Sequence, residues 1–163
     1  MKTDNKFKKF KELARLLNDR LNVVPLLYGS LGLEVLTGDK FDADDVDILI
    51  PKKYIFEDWT DFKALLEGDG YTLIDLHEHT FEKCGIAFAF AHIEAVEEYA
   101  GISESDIETI TENVCKYKLL SLKQYLAVYE KSVCDGYRIS NGKNQKDIDK
   151  VKYIRDQLLQ SDA

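Results

Sequence analysis

Three observations predict a mixed α/β fold with a helical C-terminal segment for this 163-residue chain. Apolar runs of strand length alternate with amphipathic helical stretches over residues 4–93. Two helix-period patterns fill most of the remainder. No stretch is rich enough in Gly, Ser or Pro to separate two independent domains. The expected organisation is an α/β core over residues 1–98, a mixed sheet flanked by helices, with a helical segment over 99–163 packed on it.

The elements follow in order. Phe7, Phe10, Leu13, Ala14, Leu17 and Leu21 recur at helical spacing and predict a first helix over 4–21, which Asn22 ends. Residues 23–28 are apolar throughout, as in a central strand. A short helix over 31–36 follows, with Gly38 as its stop. A polar loop over 39–44 leads to a second strand over 45–50 that Pro51 closes. Trp59, Phe62, Leu65 and Leu66 mark a helix over 57–67, which Gly68-Asp69-Gly70 breaks. Residues 71–80 read as one strand, and 81–84 as a hairpin connection of unreadable type. In the strand over 85–93, Ile86, Phe88 and Phe90 alternate with Ala87, Ala89 and Ala91. Residues 94–116 fit either helix or strand. Ser121 with Gln124 forms a capping box before a helix running toward Tyr137. Ser140-Asn141-Gly142 is a loop, and the last helix covers 144–160.

Composition narrows the function. The chain is 45% hydrophobic and 32% charged, enough apolar matter for a core and enough charge for solubility. Its net charge of −8 argues against long duplex nucleic acid, whose phosphates demand clustered Lys and Arg. Lys2, Lys6, Lys8, Lys9 and Lys11 are read as a solvated helix face. Apolar runs are too short to span a bilayer. The N-terminus lacks the apolar stretch of a signal peptide. Cys84, Cys115 and Cys134 are odd in number and widely spaced, so neither a zinc ribbon nor a disulfide framework is indicated. Free thiols in a reducing cytoplasm are the expectation.

The chemistry concentrates between Pro25 and Pro51. Gly29-Ser30 follows the first strand and opens a helix, whose N-terminal N–H groups favour phosphate. Asp45 and Asp47 lie two apart on the next strand, so both carboxylates face one way. Hard oxygen ligands of this kind suit Mg²⁺, which bridges to substrate phosphates. The expected chemistry is nucleotidyl transfer from a nucleoside triphosphate. His77-Glu78-His79 puts two imidazoles on one face with no third ligand, and is read as a solvated strand. His92 stands either as a core histidine or at the site. Tyr117, Tyr125, Tyr129 and Tyr137 are read as packing residues rather than a base-stacking platform.

With these residues the chain resembles the nucleotidyltransferase fold superfamily, which includes DNA polymerase β, aminoglycoside nucleotidyltransferases and AbiEii-type toxins. Gly29 and Ser30 match that family's Gly-Gly or Gly-Ser, and Asp45-Val46-Asp47 its Asp-apolar-Asp. LGLEVLTG resembles the short helix with a closing Gly of the AbiEii-like branch. LLSLKQYLAVYEKSVCDGYR and QKDIDKV are similar to its tail, with Lys131, Arg138, Lys146 and Asp147 in comparable places.

The resemblance implies a cytoplasmic, Mg²⁺-dependent nucleotidyltransferase moving an NMP group from an NTP to a small-molecule, RNA or protein acceptor. Gly29 and Ser30 would hold the β/γ-phosphates. Asp45 and Asp47 would bind the metal, and Lys131, Arg138 and Lys146 would contact the nucleotide. It also implies a third carboxylate that activates the acceptor hydroxyl; Glu94 is the first candidate and Glu82 the alternative. Three features depart from the family, the first being a somewhat long loop between Gly29-Ser30 and the carboxylates. Phe41-Asp42-Ala43 replaces a frequent Arg-x-Ser/Thr, and no basic residue closely follows Gly29-Ser30. They keep open a non-catalytic nucleotide-binding or regulatory module, or a toxin–antitoxin-type partner. Lys131, Arg138, Lys146 and Asp147 stand equally as ion pairs between surface helices.

Overall fold

The computed structural model describes residues 2–134 and 144–162. Among these residues are six helices: α1 (Lys2–Leu21), α2 (Gly29–Thr37), α3 (Trp59–Gly68), α4 (Glu94–Ala100), α5 (Leu122–Val133) and α6 (Asn144–Asp162). Seven strands accompany them: β1 (Leu26–Tyr28), β2 (Val46–Ile50), β3 (Thr72–Asp75), β4 (Thr80–Lys83), β5 (Ile86–His92), β6 (Glu108–Thr111) and β7 (Lys116–Leu119). They form one sheet in the order β3-β4-β5-β2-β1-β7-β6. The sheet is mixed: β2 pairs parallel with β5, β1 pairs parallel with β7, and the other pairs are antiparallel.

The chain divides into two compact units, one of residues Met1–Glu94 with Glu108–Leu119, the other of Ala95–Ile107 with Leu120–Ala163. The division expected at residue 98 is thereby corrected. Residues 108–119 belong with the sheet rather than a helical tail, because β-branched Thr109, Ile110 and Thr111 and the alternating Tyr117 and Leu119 pair edge to edge.

In the first unit, α1 places Phe10, Leu13, Ala14 and Leu17 in a core with Leu27, Val46, Ile48, Ile50, Phe88 and Phe90. This face holds Val46, Ile48 and Ile50 of β2 and Ile86, Phe88 and Phe90 of β5, all buried, as period-two alternation requires. Edge-to-face rings tighten it: Phe10 on Tyr117, Phe62 on Phe90 and Tyr71 on Phe88. Burial pushes the Tyr117 hydroxyl well above its usual pKa, helped by its 2.8 Å hydrogen bond to Glu112.

The stretch 71–80, expected as one strand, is two. β3 ends at Asp75, residues 76–79 turn, and β4 begins at Thr80. Phe81 and Lys83 are thus strand residues. The connection to β5 is the two-residue turn Cys84-Gly85, with φ of 55° and 75°. Positive φ at both central residues defines a type I′ turn, whose twist matches the strands it joins. The alternation in 71–80 gave no sign of the reversal, because the Asp75 carboxylate makes it by accepting the Glu78 N–H at 3.1 Å.

His77 lies in that turn and is exposed, while His79 sits edge-on against Trp59 with ring centroids 4.8 Å apart. Neither lies on a strand. His92 is half-buried beside the exposed Phe56 ring.

In the second unit, the predicted capping box of α5 is present. Ser121 Oγ accepts the Gln124 N–H, and Gln124 Oε1 accepts the Ser121 N–H. Tyr125 stacks on Tyr129, and both are buried, as the packing reading expects. Arg155 of α6 pairs with Glu130 of α5. The expected extension of α5 to Tyr137 and the loop at 140–142 lie outside the described residues.

Burial against Trp59 lowers the His79 pKa below its usual value, with Glu78 opposing and His77 reinforcing the shift. The unfolded chain therefore takes up a proton at about pH 6.5 that folded His79 accepts only at lower pH. The His79 contribution is complete above that pH and shrinks as pH falls toward the folded pKa. Urea unfolding across this window is expected to show a pH-dependent component that His79→Gln removes, and NMR titration should place the His79 midpoint below that of a free histidine.

Candidate active site

The site is built on the C-terminal end of β1 and the start of β2. These strands are antiparallel, with Tyr28 opposite Asp47 and Leu27 opposite Ile48. Leu27 and Ile48 are fully buried in the core, so Tyr28 and Asp47 fall on the other face, where both are half-buried. The pairing thus carries the end of β1 directly to the Asp47 carboxylate.

Gly29 is what lets the chain turn there. Its φ is +64°, and a Cβ added at this position would collide with Asp47 Oδ2 and lie 3.2 Å from Asp47 Cγ. Both the left-handed backbone and the close approach exclude a side chain. From Gly29 the chain enters α2, whose first turn begins two residues earlier than the sequence predicts. The partial positive charge of a helix start therefore lies next to the Asp47 carboxylate. Ser30 follows in this first turn, and Gly38 ends the helix with its N–H on Glu34 O at 2.8 Å.

Asp45 is exposed at the bend entering β2. It lines a shallow pocket of about 370 Å³ with Lys6, Asp44, Cys84 and Ala87, among others. Two contacts shape the loop leading to it. Glu34, only 4% exposed, accepts the N–H groups of Phe41 and Ala43 on Oε2 at 2.8 and 3.1 Å. Lys6 Nζ donates to the carbonyls of Ala43 and Asp44. The sequence pattern did not single out Glu34, and Lys6 was read as one of a solvated helix face. A glutamate among the apolar residues of LGLEVL was the available signal for the first; nothing local marked the second.

Within the first unit, Glu94 stands apart from this point. Glu94 opens α4 beyond the C-terminal end of β5, and its carboxylate accepts the Lys52 N–H at 3.0 and 3.3 Å. Lys52 lies five residues beyond Asp47, roughly 15 Å along the strand direction. Glu94 thus caps the turn after β2 at the opposite end of the sheet from the carboxylate pair. Directly beside Asp47 on β5 stands Ala89. Glu82 lies on β4, exposed and opposite Ala87. Lys131 and Lys146 occupy exposed positions of α5 and α6 in the second unit, and Arg138 lies outside the described residues. Asp147 is fully buried, which sets it apart from the surface ion pairs considered for that segment.

Among the described residues, no group of three or more His, Cys, Asp or Glu side chains gathers to hold a metal. The Asp47 carboxylate at a phosphate-favouring turn, with Asp45 two residues away in the chain, still fits Mg²⁺, which is held by one or two carboxylates together with waters and substrate phosphates. It does not fit a structural zinc, which requires a closed set of four ligands.

Comparison with known proteins agrees with this architecture. A crystallised antigenic nucleotidyltransferase-like protein from Paracoccidioides brasiliensis matches 88% of this chain and 74% of its own, with a TM-score of 0.58 at 19% identity. The solution structure of the antibiotic-resistance factor ANT(2'')-Ia matches 99% of this chain and 94% of its own, with a TM-score of 0.53 at 14% identity. The fold is nucleotidyltransferase-like. No family model matches the chain. It is, however, 38% identical over 148 residues to the uncharacterized protein YnaI of Bacillus subtilis (strain 168), a match covering 91% of this chain and 94% of that protein, and it belongs to the same family.

Two outcomes follow from the local geometry. Gly29→Ala is expected to destabilise the protein by about 1–3 kcal/mol through its positive φ and the clash with Asp47, read as a lower urea midpoint. Glu34→Ala is expected to cost about 1–3 kcal/mol by removing the acceptor of two part-buried N–H groups, and to speed amide exchange at Phe41 and Ala43.

Proposed function

We infer that the chain is a Mg²⁺-dependent nucleotidyltransferase, moving an NMP group from an NTP to an acceptor hydroxyl. The carrying observation is the packing of Gly29 against Asp47. It puts a phosphate-favouring helix start directly against the Asp47 carboxylate, two residues from Asp45 in the chain. The backbone at Gly29 and Ser30 receives the β- and γ-phosphates. Asp45 and Asp47 hold the metal. Bound there, Mg²⁺ would neutralise phosphate charge as the bond to the leaving group breaks. Asp47 is half-buried, and partial removal from water strengthens a carboxylate's hold on a cation.

Incubation with α-phosphate-labelled NTPs, Mg²⁺ and three acceptor classes (small polyhydroxylated molecules, tRNA and protein) tests this. Label transfer by the wild type and a loss of about 10²-fold or more in Asp45→Asn and Asp47→Asn are expected. Variants as active as the wild type sink the reading.

One observation favours a second reading, a non-catalytic nucleotide-binding or regulatory module. Ala89 is the β5 neighbour of Asp47, on the adjacent strand where a third carboxylate would sit closest to the pair. Calorimetry separates the two: Mg²⁺-dependent NTP binding without transfer to any acceptor supports the module.

A further inference from the structure

Beyond the ends of β2 and β5, aromatic and apolar side chains of the first unit come to the surface together. Phe56 and Leu76 are each 60% exposed, two of the five large apolar side chains more than half exposed among the described residues. The half-buried Trp59 and His79 link them. The Phe56 ring lies 5.8 Å from His92, and the Phe56 carbonyl accepts the Trp59 N–H at 3.5 Å. Trp59 meets His79 edge-on, and the His79 N–H donates to the Leu76 carbonyl at 3.3 Å. Trp59 also packs on buried Phe62 and Phe81, which anchors the patch to the core. A single exposed apolar residue is ordinary, but linked apolar and aromatic groups rimmed by charge mark an interaction surface.

The rim decides what fits this surface. Glu57 and Asp58 follow Phe56 in the chain, while Asp75 and Glu78 flank Leu76 and His79. Lys52 and Lys53 precede Phe56, and Lys53 Nζ is drawn over the Tyr54 ring, 5.0 Å from its centroid. The rim thus carries four carboxylates against two ammonium groups, in a chain of net charge −8. Two copies of this surface would bring like charges together, and anionic lipid or nucleic acid would meet the same repulsion. A cationic partner gains twice. The acidic field steers it in, and its Arg or Lys side chains lie favourably over Trp and Phe rings.

We propose that this surface docks a basic segment of a partner protein, with Arg or Lys over Trp59 and Phe56 and a branched aliphatic side chain on Leu76. It lies past the end of β2 that is remote from Asp45. The docking therefore stands apart from the nucleotidyl-transfer reading and survives if that reading fails.

Trp59 is the only tryptophan in the chain, so its fluorescence reports on this surface directly. The full chain is titrated with synthetic peptides that alternate Arg and Leu, with matched Glu–Leu and Arg–Ser peptides, and with phosphatidylglycerol vesicles. A saturable blue shift with the Arg–Leu peptides alone is expected, weakened by added salt. Phe56→Ser combined with Leu76→Ser keeps every charge and should weaken binding by about tenfold or more. Both residues are exposed, so this variant should unfold at the wild-type urea midpoint. Glu57→Gln combined with Glu78→Gln should flatten the salt dependence. Binding that persists unchanged in the double serine variant is unspecific ionic attraction and overturns the proposal. Equal affinity for the Glu–Leu or Arg–Ser peptides, preference for the vesicles, or no response to the Arg–Leu peptides overturns it as well. So does a Trp59 shift on concentrating the chain alone, which makes a second copy the occupant.

Discussion

The contact between Gly29 and the Asp47 carboxylate is the constraint on which the site depends. It exists only because β1 and β2 pair with Tyr28 opposite Asp47, and that register is fixed by Leu27 and Ile48 filling the core from the other face. A slip of one residue would carry Asp47 onto the core face and Ile48 off it. Burial of an unpaired carboxylate costs several kcal/mol, so the hydrophobic pattern and the chemistry enforce one alignment. The positive φ of Gly29 follows from the same demand, since the chain must leave β1 sharply while passing against a carboxylate.

Around that contact the loop before Asp45 is held from two directions. Buried Glu34 gathers its N–H groups and Lys6 its carbonyls, so that a polar segment without regular structure still delivers Asp45 to a fixed place. A negative and a positive side chain divide the backbone of one loop between them, each taking the groups its charge prefers. Both come from the helices flanking this part of the sheet, which ties the site to the packing of α1 and α2.

Much of this was legible in the chain itself. Apolar periodicity located α1, α3 and β5 to within about two residues of their ends, the usual uncertainty of helix and strand boundaries. The Gly-Ser and Asp-x-Asp pair found the place where β1, α2 and β2 meet. The sequence was silent wherever a decision depended on partners distant along the chain. Residues 108–111 pair with β7, and no local pattern in ETIT distinguishes that from a helix. The turn at 76–79 is made by one carboxylate, Asp75, rather than by Gly or Pro. Glu94 looked well placed because it ends an apolar strand. That strand runs parallel to β2, so its end is the wrong end, and strand direction cannot be read from composition.

The parallel pairing of β1 with β7 has a consequence for how this chain can vary. Leu26 meets Lys118 across about ninety intervening residues, and residues 95–107, which belong to the second unit, lie inside that loop. Closure entropy grows only with the logarithm of loop length, so doubling such a span costs about 0.6 kcal/mol. The connection from β5 to β6 can therefore be lengthened, shortened or exchanged between relatives at little thermodynamic penalty, while the first and seventh strands continue to meet in the same register.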